Sequence, residues 1–397
     1  MEQPTYSIGI VGAGIAGLSA GLALIQAGHQ VTIFEKSSDI GEVGAGIQLS
    51  ANATRILSSW GLLPAIRGVG FEPQGIKMQH WESGETIAIF AQNSQVSTEV
   101  DPYIHIHRAD LHGTLYQAVQ SLDGTSVQID HEVLGVSQKK QCATIAFKGR
   151  EPQDFDWVVG ADGIHSIVRP SALSINEAPN FTGNVAWRGL IDVELLDSKP
   201  KPFTHVVMGP GAHVVFYYVK GGRKLNYVAV TERDNWDRES WTEKGSVDEL
   251  LNDFLGWDPA LLSILKKTSD EDCFRWALYD RNPLDTLSNG RCLVIGDAAH
   301  PMLPFLAQGA AMGIEDAQAL AWCLQRFPPE RVGEQMLFLR GKRSARVQLA
   351  ARKNMSIFHE RSRGIRWARD SILRTVSLMY PNFMNKKLQW LYEYKLK

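Results

Sequence analysis

Two aspartates, Asp162 and Asp297, each stand at the end of a short apolar run, where a buried strand of a parallel sheet would finish. Small residues follow Asp297, and a helical pattern then opens at Gln308 with Gly309 and Ala310. A buried carboxylate just past a strand, beside a loop with free backbone N–H groups, suits a polar, partly anionic cofactor. Asp297 and this helix start are therefore the first candidates for binding chemistry.

A second signal lies near the N-terminus. Gly12, Gly14 and Gly17 form a GxGxxG motif that follows the apolar strand Ser7–Val11 and opens a helical segment. The first glycine permits a tight turn, the second lets the backbone approach a pyrophosphate, and the third allows close helix–strand packing. The next strand closes on Glu35, which can accept hydrogen bonds from ribose hydroxyls and would repel a 2′-phosphate. The pattern predicts a dinucleotide site, with NAD and FAD both open as ligands.

Two further positions belong to the candidate cofactor site. A second glycine-rich stretch, 41–48, follows soon after the acid and includes Gly46. Arg108 precedes another helical pattern, and at such a helix start its guanidinium could reach a phosphate.

Composition restricts the other function classes. The net charge is −2, so no overall basic field indicates nucleic acid, and no apolar run of ~18 residues without glycine or polar breaks indicates a membrane span. The four cysteines have neither CxxC nor zinc spacing, which favours reduced thiols and a cytoplasmic protein. Residues 340–369 are locally basic, and we interpret them as the solvated face of late helices. His105, His107 and His112 could form a metal cluster, but no carboxylate or cysteine completes a ligand set, so no metal is predicted.

Three motifs occur in one order along the chain: GAGIAG with Glu35, VVGADGIHSIVR at 158–169, and CLVIGDAAHPMLPFLAQGAAMGIEDA at 292–317. With them the chain resembles the single-component FAD-dependent aromatic hydroxylases, and it is most similar to the salicylate hydroxylase-like and 3-hydroxybenzoate 6-hydroxylase-like members. The resemblance covers nearly the whole chain. It implies an α/β fold in which a Rossmann-like FAD-binding domain carries an inserted, mostly antiparallel substrate sheet and C-terminal helices. The expected boundaries are 1–72, 100–180 and 275–330 for the FAD domain, 73–99 and 181–274 for the substrate domain, and 331–397 for the C-terminal helical segment, with helices at 330–354 and 355–378.

The resemblance also implies roles for residues of the cofactor site. Asp162 would bear on FAD and NAD(P)H binding, and Asp297 would bind the ribitol side of FAD. Pro304 would lie against the flavin near its reacting carbon. The other expected contacts are Gly12, Gly14, Gly17 and Glu35 with the ADP half, Arg108 with the phosphate or ribose region, and Gly309, Ala310 and Ala311 with the flavin N1/O2 edge.

The middle of the chain, 181–274, has the alternating pattern of antiparallel strands and holds the expected catalytic residue. His213 is expected to remove a phenolic proton, because a neutral histidine with a pKa near ~6.5 suits that task at pH 7. A purely structural role for this histidine stays open. Gln308 could orient a substrate hydroxyl or the flavin, and Arg188 and Tyr217 are candidates for binding a substrate carboxylate.

The reaction that the resemblance implies is hydroxylation of a phenolic or hydroxy-aromatic acid by O2 through a flavin C4a-hydroperoxide. NADH or NADPH is expected as a transient reductant, since a second GxGxxG motif is absent from the sequence. Two alternatives remain: an FAD-dependent epoxidase or hydroxylase of a non-phenolic or N-heteroaromatic substrate, and a non-catalytic flavin-binding sensor. Gln48 weakens a hydroxynicotinate-type substrate, because some relatives that act on such rings have histidine there. The chain could be a monomer or a homodimer.

Overall fold

The computed structural model describes residues 4–40, 45–91, 99, 101–233, 244–380 and 382–396. The first part of the glycine-rich stretch at 41–48 therefore lies outside the described residues. Within them the strands, in chain order, are β1 Ser7–Val11, β2 Gln30–Phe34, β3 Gly46–Leu49, β4 Gly75–His80, β5 Thr86–Ala91, β6 Ile104–His107, β7 Thr125–Gln128, β8 Val133–Gln138, β9 Ala143–Phe147, β10 Arg150–Phe155, β11 Trp157–Gly160, β12 Asn180–Asp192, β13 Thr204–Gly209, β14 Ala212–Val219, β15 Lys224–Glu232, β16 Phe274–Asp280, β17 Ser288–Asn289 and β18 Cys292–Val294.

The helices lie around these strands and form most of the C-terminal part of the chain. No helix in the described ranges is both long and apolar enough to cross a membrane. Their bounds are α1 Ile15–Gln26, α2 Ala51–Ser59, α3 Leu63–Val69, α4 Arg108–Gln120, α5 Val168–Leu173, α6 Val247–Asp253, α7 Pro259–Leu265, α8 Gly309–Arg326, α9 Pro329–Met336, α10 Lys342–Phe358, α11 Arg363–Met379 and α12 Phe383–Tyr392.

A six-stranded sheet carries both cofactor signals. Its order is β17-β18-β11-β1-β2-β7, and every neighbouring pair is parallel except β17–β18. The central strands are almost entirely apolar and buried because both faces of the sheet are covered: helices α1, α4 and α8 pack on one face, and strands β8, β9 and β10 with α5 pack on the other. The GxGxxG motif follows β1, Asp162 follows β11 and Asp297 follows β18, so the three motifs meet at the carboxyl edge of neighbouring strands.

A seven-stranded sheet in the order β16-β12-β15-β14-β13-β4-β5 forms the second large unit. All of its pairs are antiparallel except β13–β4. Helices α6 and α7 cover one face, where Trp187, Phe216 and Tyr227 pack with Phe254 and Leu261. The predicted combination of a parallel sheet, an inserted antiparallel sheet and C-terminal helices is thereby confirmed, whereas the domain boundaries stay a prediction.

The C-terminal helices differ from the sequence prediction. Helix α10 continues to Phe358, and the break falls at 359–362, where the Ser362 hydroxyl accepts a hydrogen bond from the Ile365 N–H at the start of α11. The prediction of one solvated basic face is wrong for Arg340 and Arg343, which are buried. Both arginines point inward because two acids of α8 lie buried beneath them.

Candidate active site

A cavity of about 710 Å³ lies between the carboxyl edge of the parallel sheet and one face of the seven-stranded sheet. Alternate residues of β14, including His213 and Tyr217, face it because side chains along a strand alternate between the two faces. Two of the expected site residues, Gly17 and Ala311, do not line it. The expected residues that do are Gly12, Gly14, Glu35, Gly46, Arg108, Asp162, Arg188, His213, Tyr217, Asp297, Pro304, Gln308, Gly309 and Ala310.

The glycine loop after β1 has a conformation that side chains would prevent. Gly12 has a φ of +101°, and a Cβ there would lie 2.6 Å from the Ala161 carbonyl oxygen. A Cβ on Gly14 would meet open space, so the backbone is accessible from the cavity. Glu35 fixes the loop, since its Oε2 accepts a hydrogen bond from the Ala13 N–H at 3.0 Å. The start of α1 is thus open to a phosphate group, as the motif predicts.

Gly17 does not line the cavity, but it packs against the glycine loop that does. A Cβ at this position would lie 1.9 Å from the Gly12 carbonyl oxygen. We expect Gly17→Ala to displace the loop and weaken FAD binding roughly 10- to 100-fold, since overpacking commonly costs about 1–3 kcal/mol. Titration of the apoprotein with FAD, followed by flavin fluorescence, measures the change. Gly113→Ala is the matched control, because a Cβ on this α4 glycine has no neighbour within 4 Å; equal FAD affinities in the two variants would refute the packing role.

Asp162 lines the cavity, and backbone donors hold its carboxylate in place. Its Oδ2 accepts hydrogen bonds from the N–H groups of Ile167 at 2.7 Å and Val168 at 3.1 Å. Its buried Oδ1 has no hydrogen-bond partner within the described residues. Burial raises the pKa of this carboxyl, and the hydrogen bonds oppose the shift. The carboxyl group is therefore fixed in position at the cavity wall.

Asp297 differs from its predicted environment. The sequence predicts a buried carboxylate, but the residue is exposed, because its surface forms part of the cavity wall. Enclosure by protein nevertheless raises the pKa of Asp297, and the positive charges of His300 and Arg108 oppose that shift. The carboxylate therefore lies where a sugar chain in the cavity could donate hydrogen bonds to it.

A buried ion network holds the loop that carries Asp297. Asp316 Oδ2 accepts the Gly296 N–H at 2.9 Å and lies 2.6 Å from His300 Nε2, and Arg340 Nε lies 2.7 Å from Asp316 Oδ1. Burial alone would raise the pKa of the Asp316 carboxyl, but His300 and Arg340 outweigh it and hold that pKa below its usual range. Glu315 extends the network through Arg340 and, from Oε2, through Arg343 Nε at 2.6 Å. Sequence reasoning missed this network, although two adjacent acids in an apolar helical pattern signal it.

The N-terminus of α8 opens onto the cavity. Pro304 is exposed on the cavity wall, and Gly309 and Ala310 are half-buried in the first turn, whose N–H groups have no acceptor inside the helix. Gln308 is buried, and its amide is held by protein: Nε2 donates to Ser50 Oγ at 2.9 Å, and Oε1 accepts from Asn52 Nδ2 at 3.1 Å. These bonds favour a role in positioning the helix start over direct contact with a substrate.

His213 lies at the opposite wall of the cavity. Its Nδ1 is 2.7 Å from His359 Nε2, and its ring packs beside Phe305 and Phe358, with ring centroids 5.0 and 5.2 Å away. Nε2 has no hydrogen-bond partner among the described residues. Burial, and then His359, lower the pKa of His213 well below its usual value. The expected pKa near ~6.5 is therefore wrong, and the imidazole is neutral at pH 7.

The two candidate substrate residues occupy different parts of the same wall. The Arg188 guanidinium lies 3.8 Å from the centroid of the Trp276 ring, an arrangement that stabilises a buried cation. The Tyr217 ring lies 4.4 Å from the His105 ring, and burial raises the pKa of its hydroxyl. Both side chains are nearly inaccessible except from the cavity.

The histidines considered as metal ligands have other contacts. His105 Nε2 lies 2.9 Å from Thr204 Oγ1, and His112 Nε2 lies 2.7 Å from the Ala13 carbonyl oxygen. In the described part of the chain no cluster of three His, Cys, Asp or Glu side chains could hold a metal ion. His112 instead supports the glycine loop, a role that the sequence spacing does not reveal.

The residues around the cavity fit FAD. Two helix starts offer backbone N–H groups, the glycine loop leaves room for a pyrophosphate, and two aspartates, Asp162 and Asp297, line the space between them. The starts of α1 and α8 lie close together because the two helices pack against each other: a Cβ on Gly313 would lie 2.9 Å from the Ala16 Cβ.

Comparison with known proteins agrees with this geometry. Residues 5–351 match the family model described as FAD binding domain. The chain is 35% identical over 363 residues to 3-amino-4-hydroxybenzoate 2-monooxygenase of Streptomyces cremeus, covering 90% of this chain and 89% of the relative. It is 31% identical over 396 residues to 3-hydroxybenzoate 6-hydroxylase of Klebsiella oxytoca, covering 97% and 96%. The crystal structure of Klebsiella pneumoniae HpxO complexed with FAD and uric acid has a TM-score of 0.85 at 23% identity, covering 96% of this chain and 96% of that one. The chain belongs to this FAD-binding family and is an FAD-dependent monooxygenase of the aromatic hydroxylase type.

Proposed function

We propose that the protein hydroxylates a phenolic aromatic acid, using NADH or NADPH and O2, and that His213 removes the phenolic proton. The observation that carries the proposal is the position of His213: a neutral imidazole on the cavity wall, 5.0 Å from the Phe305 ring in the turn that opens with Pro304. A hydroxyl group of a ring bound in this space can donate to Nε2. Loss of that proton makes the ring electron-rich, which is what attack by an electrophilic oxygen requires.

Bound FAD would supply the redox chemistry, because it can accept electrons from NAD(P)H and use them to activate O2. The chain provides the surroundings. The first turn of α8, with Gly309, Ala310 and Ala311, would donate N–H groups to the flavin ring and favour negative charge on it. Asp162 and Asp297 would accept hydrogen bonds from the hydroxyls of the cofactor, and Pro304 would cover one side of the reaction space and keep it dry.

The positive charge of Arg188 favours a substrate that carries an acid group. Arg188 places a cation on the cavity wall, and Trp276 beneath it keeps the guanidinium plane fixed. The two relatives described above are named for hydroxybenzoates, which carry both a carboxylate and a phenolic hydroxyl. Arg188 would bind the carboxylate, and His213 would face the hydroxyl.

A screen with both nicotinamide cofactors tests the proposal. Purified FAD-loaded protein is mixed with 3-hydroxybenzoate, 3-amino-4-hydroxybenzoate, 6-hydroxynicotinate and, as the matched compound without a hydroxyl, benzoate. We expect a hydroxybenzoate to stimulate NADH or NADPH oxidation with formation of a hydroxylated product, and benzoate to give no product. Product from a non-phenolic ring alone would favour the epoxidase-type alternative, and no stimulation by any aromatic compound would favour a flavin-binding sensor.

A further inference from the structure

A row of titratable side chains leads from the cavity wall to the protein surface. His213 Nδ1 lies 2.7 Å from His359 Nε2, and His359 Nδ1 lies 3.4 Å from Glu232 Oε1. Both imidazoles are 3% exposed, whereas the Glu232 side chain is 33% exposed. The buried histidine at the cavity is therefore two steps away from a carboxylate that water can reach.

Three elements fix this row. His213 is on β14, Glu232 ends β15, and His359 caps the C-terminus of α10. Gly211 ties them together, because its N–H donates to the His359 carbonyl oxygen at 3.0 Å and its carbonyl oxygen accepts the Glu232 N–H at 3.0 Å. Gly211 has a φ of +65°, and a Cβ there would lie 3.3 Å from Glu232 Oε2, so a larger residue would disturb the arrangement.

The surroundings of the two imidazoles are mostly apolar. The Phe305 ring lies 5.0 Å from the His213 ring and 5.7 Å from the His359 ring, and Phe358 packs on the other side of His213. Arg361 binds Glu232 Oε2 from solvent, with its Nε at 2.8 Å, which leaves Oε1 turned toward His359. His359 Nδ1 has no hydrogen bond of good geometry in the described residues, so a small movement of Glu232 Oε1 is enough to complete the row.

We propose that His359 and Glu232 form a relay that carries the substrate's phenolic proton from His213 to solvent; this rests on the proposed function of His213 as the base. The substrate O–H bond breaks as an N–H bond forms at His213 Nε2. The proton on His213 Nδ1 passes to His359 Nε2, the proton on His359 Nδ1 passes to Glu232 Oε1, and Glu232 releases it to water. No electrons are exchanged, and the same steps in reverse return a proton to the site.

The relay answers a difficulty that burial creates for His213. Burial lowers the pKa of His213, and burial also lowers the pKa of His359 to about 4, against the opposing effect of Glu232. Neither imidazole can hold an extra proton for long at neutral pH. A base that cannot keep the proton has to pass it on, and Glu232 is the acceptor of that row that contacts solvent.

Proton release on ligand binding tests the relay without turnover. Holoenzyme is mixed rapidly with saturating 3-hydroxybenzoate or 3-amino-4-hydroxybenzoate in weakly buffered solution with a pH indicator and without NAD(P)H. We expect a proton to appear in solvent as the phenol ionises, and release to slow roughly tenfold or more in Glu232→Gln and in His359→Phe, which keeps an aromatic ring beside Phe305. Benzoate should bind all variants equally and release no proton.

The control variant is Glu194→Gln, an exposed glutamate whose Oε1 pairs with Lys199 at 2.7 Å, far from the row in sequence. Its proton release should match that of the wild type. Unchanged release in both Glu232→Gln and His359→Phe, with normal ionisation, would overturn the relay and leave the proposed function standing. Absence of ionisation of both phenols in the wild type would contradict the proposed function and the relay together.

Discussion

Replacing His213 with alanine is expected to lower kcat/KM for product formation roughly 100- to 10,000-fold, the range by which a positioned general base contributes. FAD binding should be retained, because His213 lies on the sheet that faces the cofactor loops and donates nothing to the glycine loop or the Asp297 loop. Product quantification together with NAD(P)H consumption measures the loss of coupled hydroxylation.

Two comparisons separate the base from a structural histidine. A phenol that is already ionised at the assay pH should lose much less activity in His213→Ala, because the variant lacks only the proton acceptor. His205→Gln is the matched control: His205 is also buried on the same sheet, but its ring stacks on Phe216 at 4.4 Å and it does not line the cavity. Equal losses in the two variants, or equal losses with ionised and un-ionised phenols, would rule out the base.

Arg340→Met is expected to lower the free energy of unfolding by about 3–5 kcal/mol, since it removes the buried cation that Glu315 and Asp316 share and leaves only Arg343 and His300 to balance them. Arg340 is fully buried, and it contacts Glu315 through Nη1 and Asp316 through Nε at 2.7 Å. Asp316 also holds Gly296 and His300, so FAD affinity should fall as the Asp297 loop loosens. Urea denaturation of the holoprotein, followed by flavin release and by circular dichroism, measures both effects.

Arg331→Met serves as the comparison for the buried arginine. Arg331 pairs with Glu334 at 3.6 Å on the surface, with side chains 54% and 69% exposed, and such pairs contribute about 0–1 kcal/mol. A stability loss in Arg340→Met no larger than in Arg331→Met would show that Glu315 and Asp316 do not depend on the arginine.

The parallel-sheet half of the fold was predictable because its signals are local. GxGxxG with Glu35 requires a strand, a turn and a helix in immediate succession, and the structure has β1, the Gly12 turn and α1 at those positions. The antiparallel strands predicted for 181–274 were equally visible from alternation, and β12, β13, β14 and β15 lie in that part of the chain. The C-terminal break was misplaced, since the 3.6-residue apolar pattern continues across it and the Ser362 cap is a weak signal.

Burial of charge was the least predictable property. Arg340 and Arg343 belong to a basic run that looks solvent-facing, and only the packing of the segment before α10 against α8 brings Glu315 beneath them. Asp297 shows the opposite error: its apolar strand suggested burial, whereas the cavity exposes it. Exposure depends on what lies across from a side chain, and that is a non-local property.

The sequence by itself determined the class of cofactor and the elements that bind it, because a dinucleotide site is built from backbone geometry that glycines and strand ends encode locally. The tertiary structure decided which side chains share the cavity: Ala16 against Gly313 joins two motifs that are distant in the chain, and the pairing of β14 within its sheet turns the face that carries His213 and Tyr217 toward the cavity. It also decided the contacts of His359 with His213 and with Glu232. These pairings come from strand register and helix packing between distant segments, which no local pattern specifies.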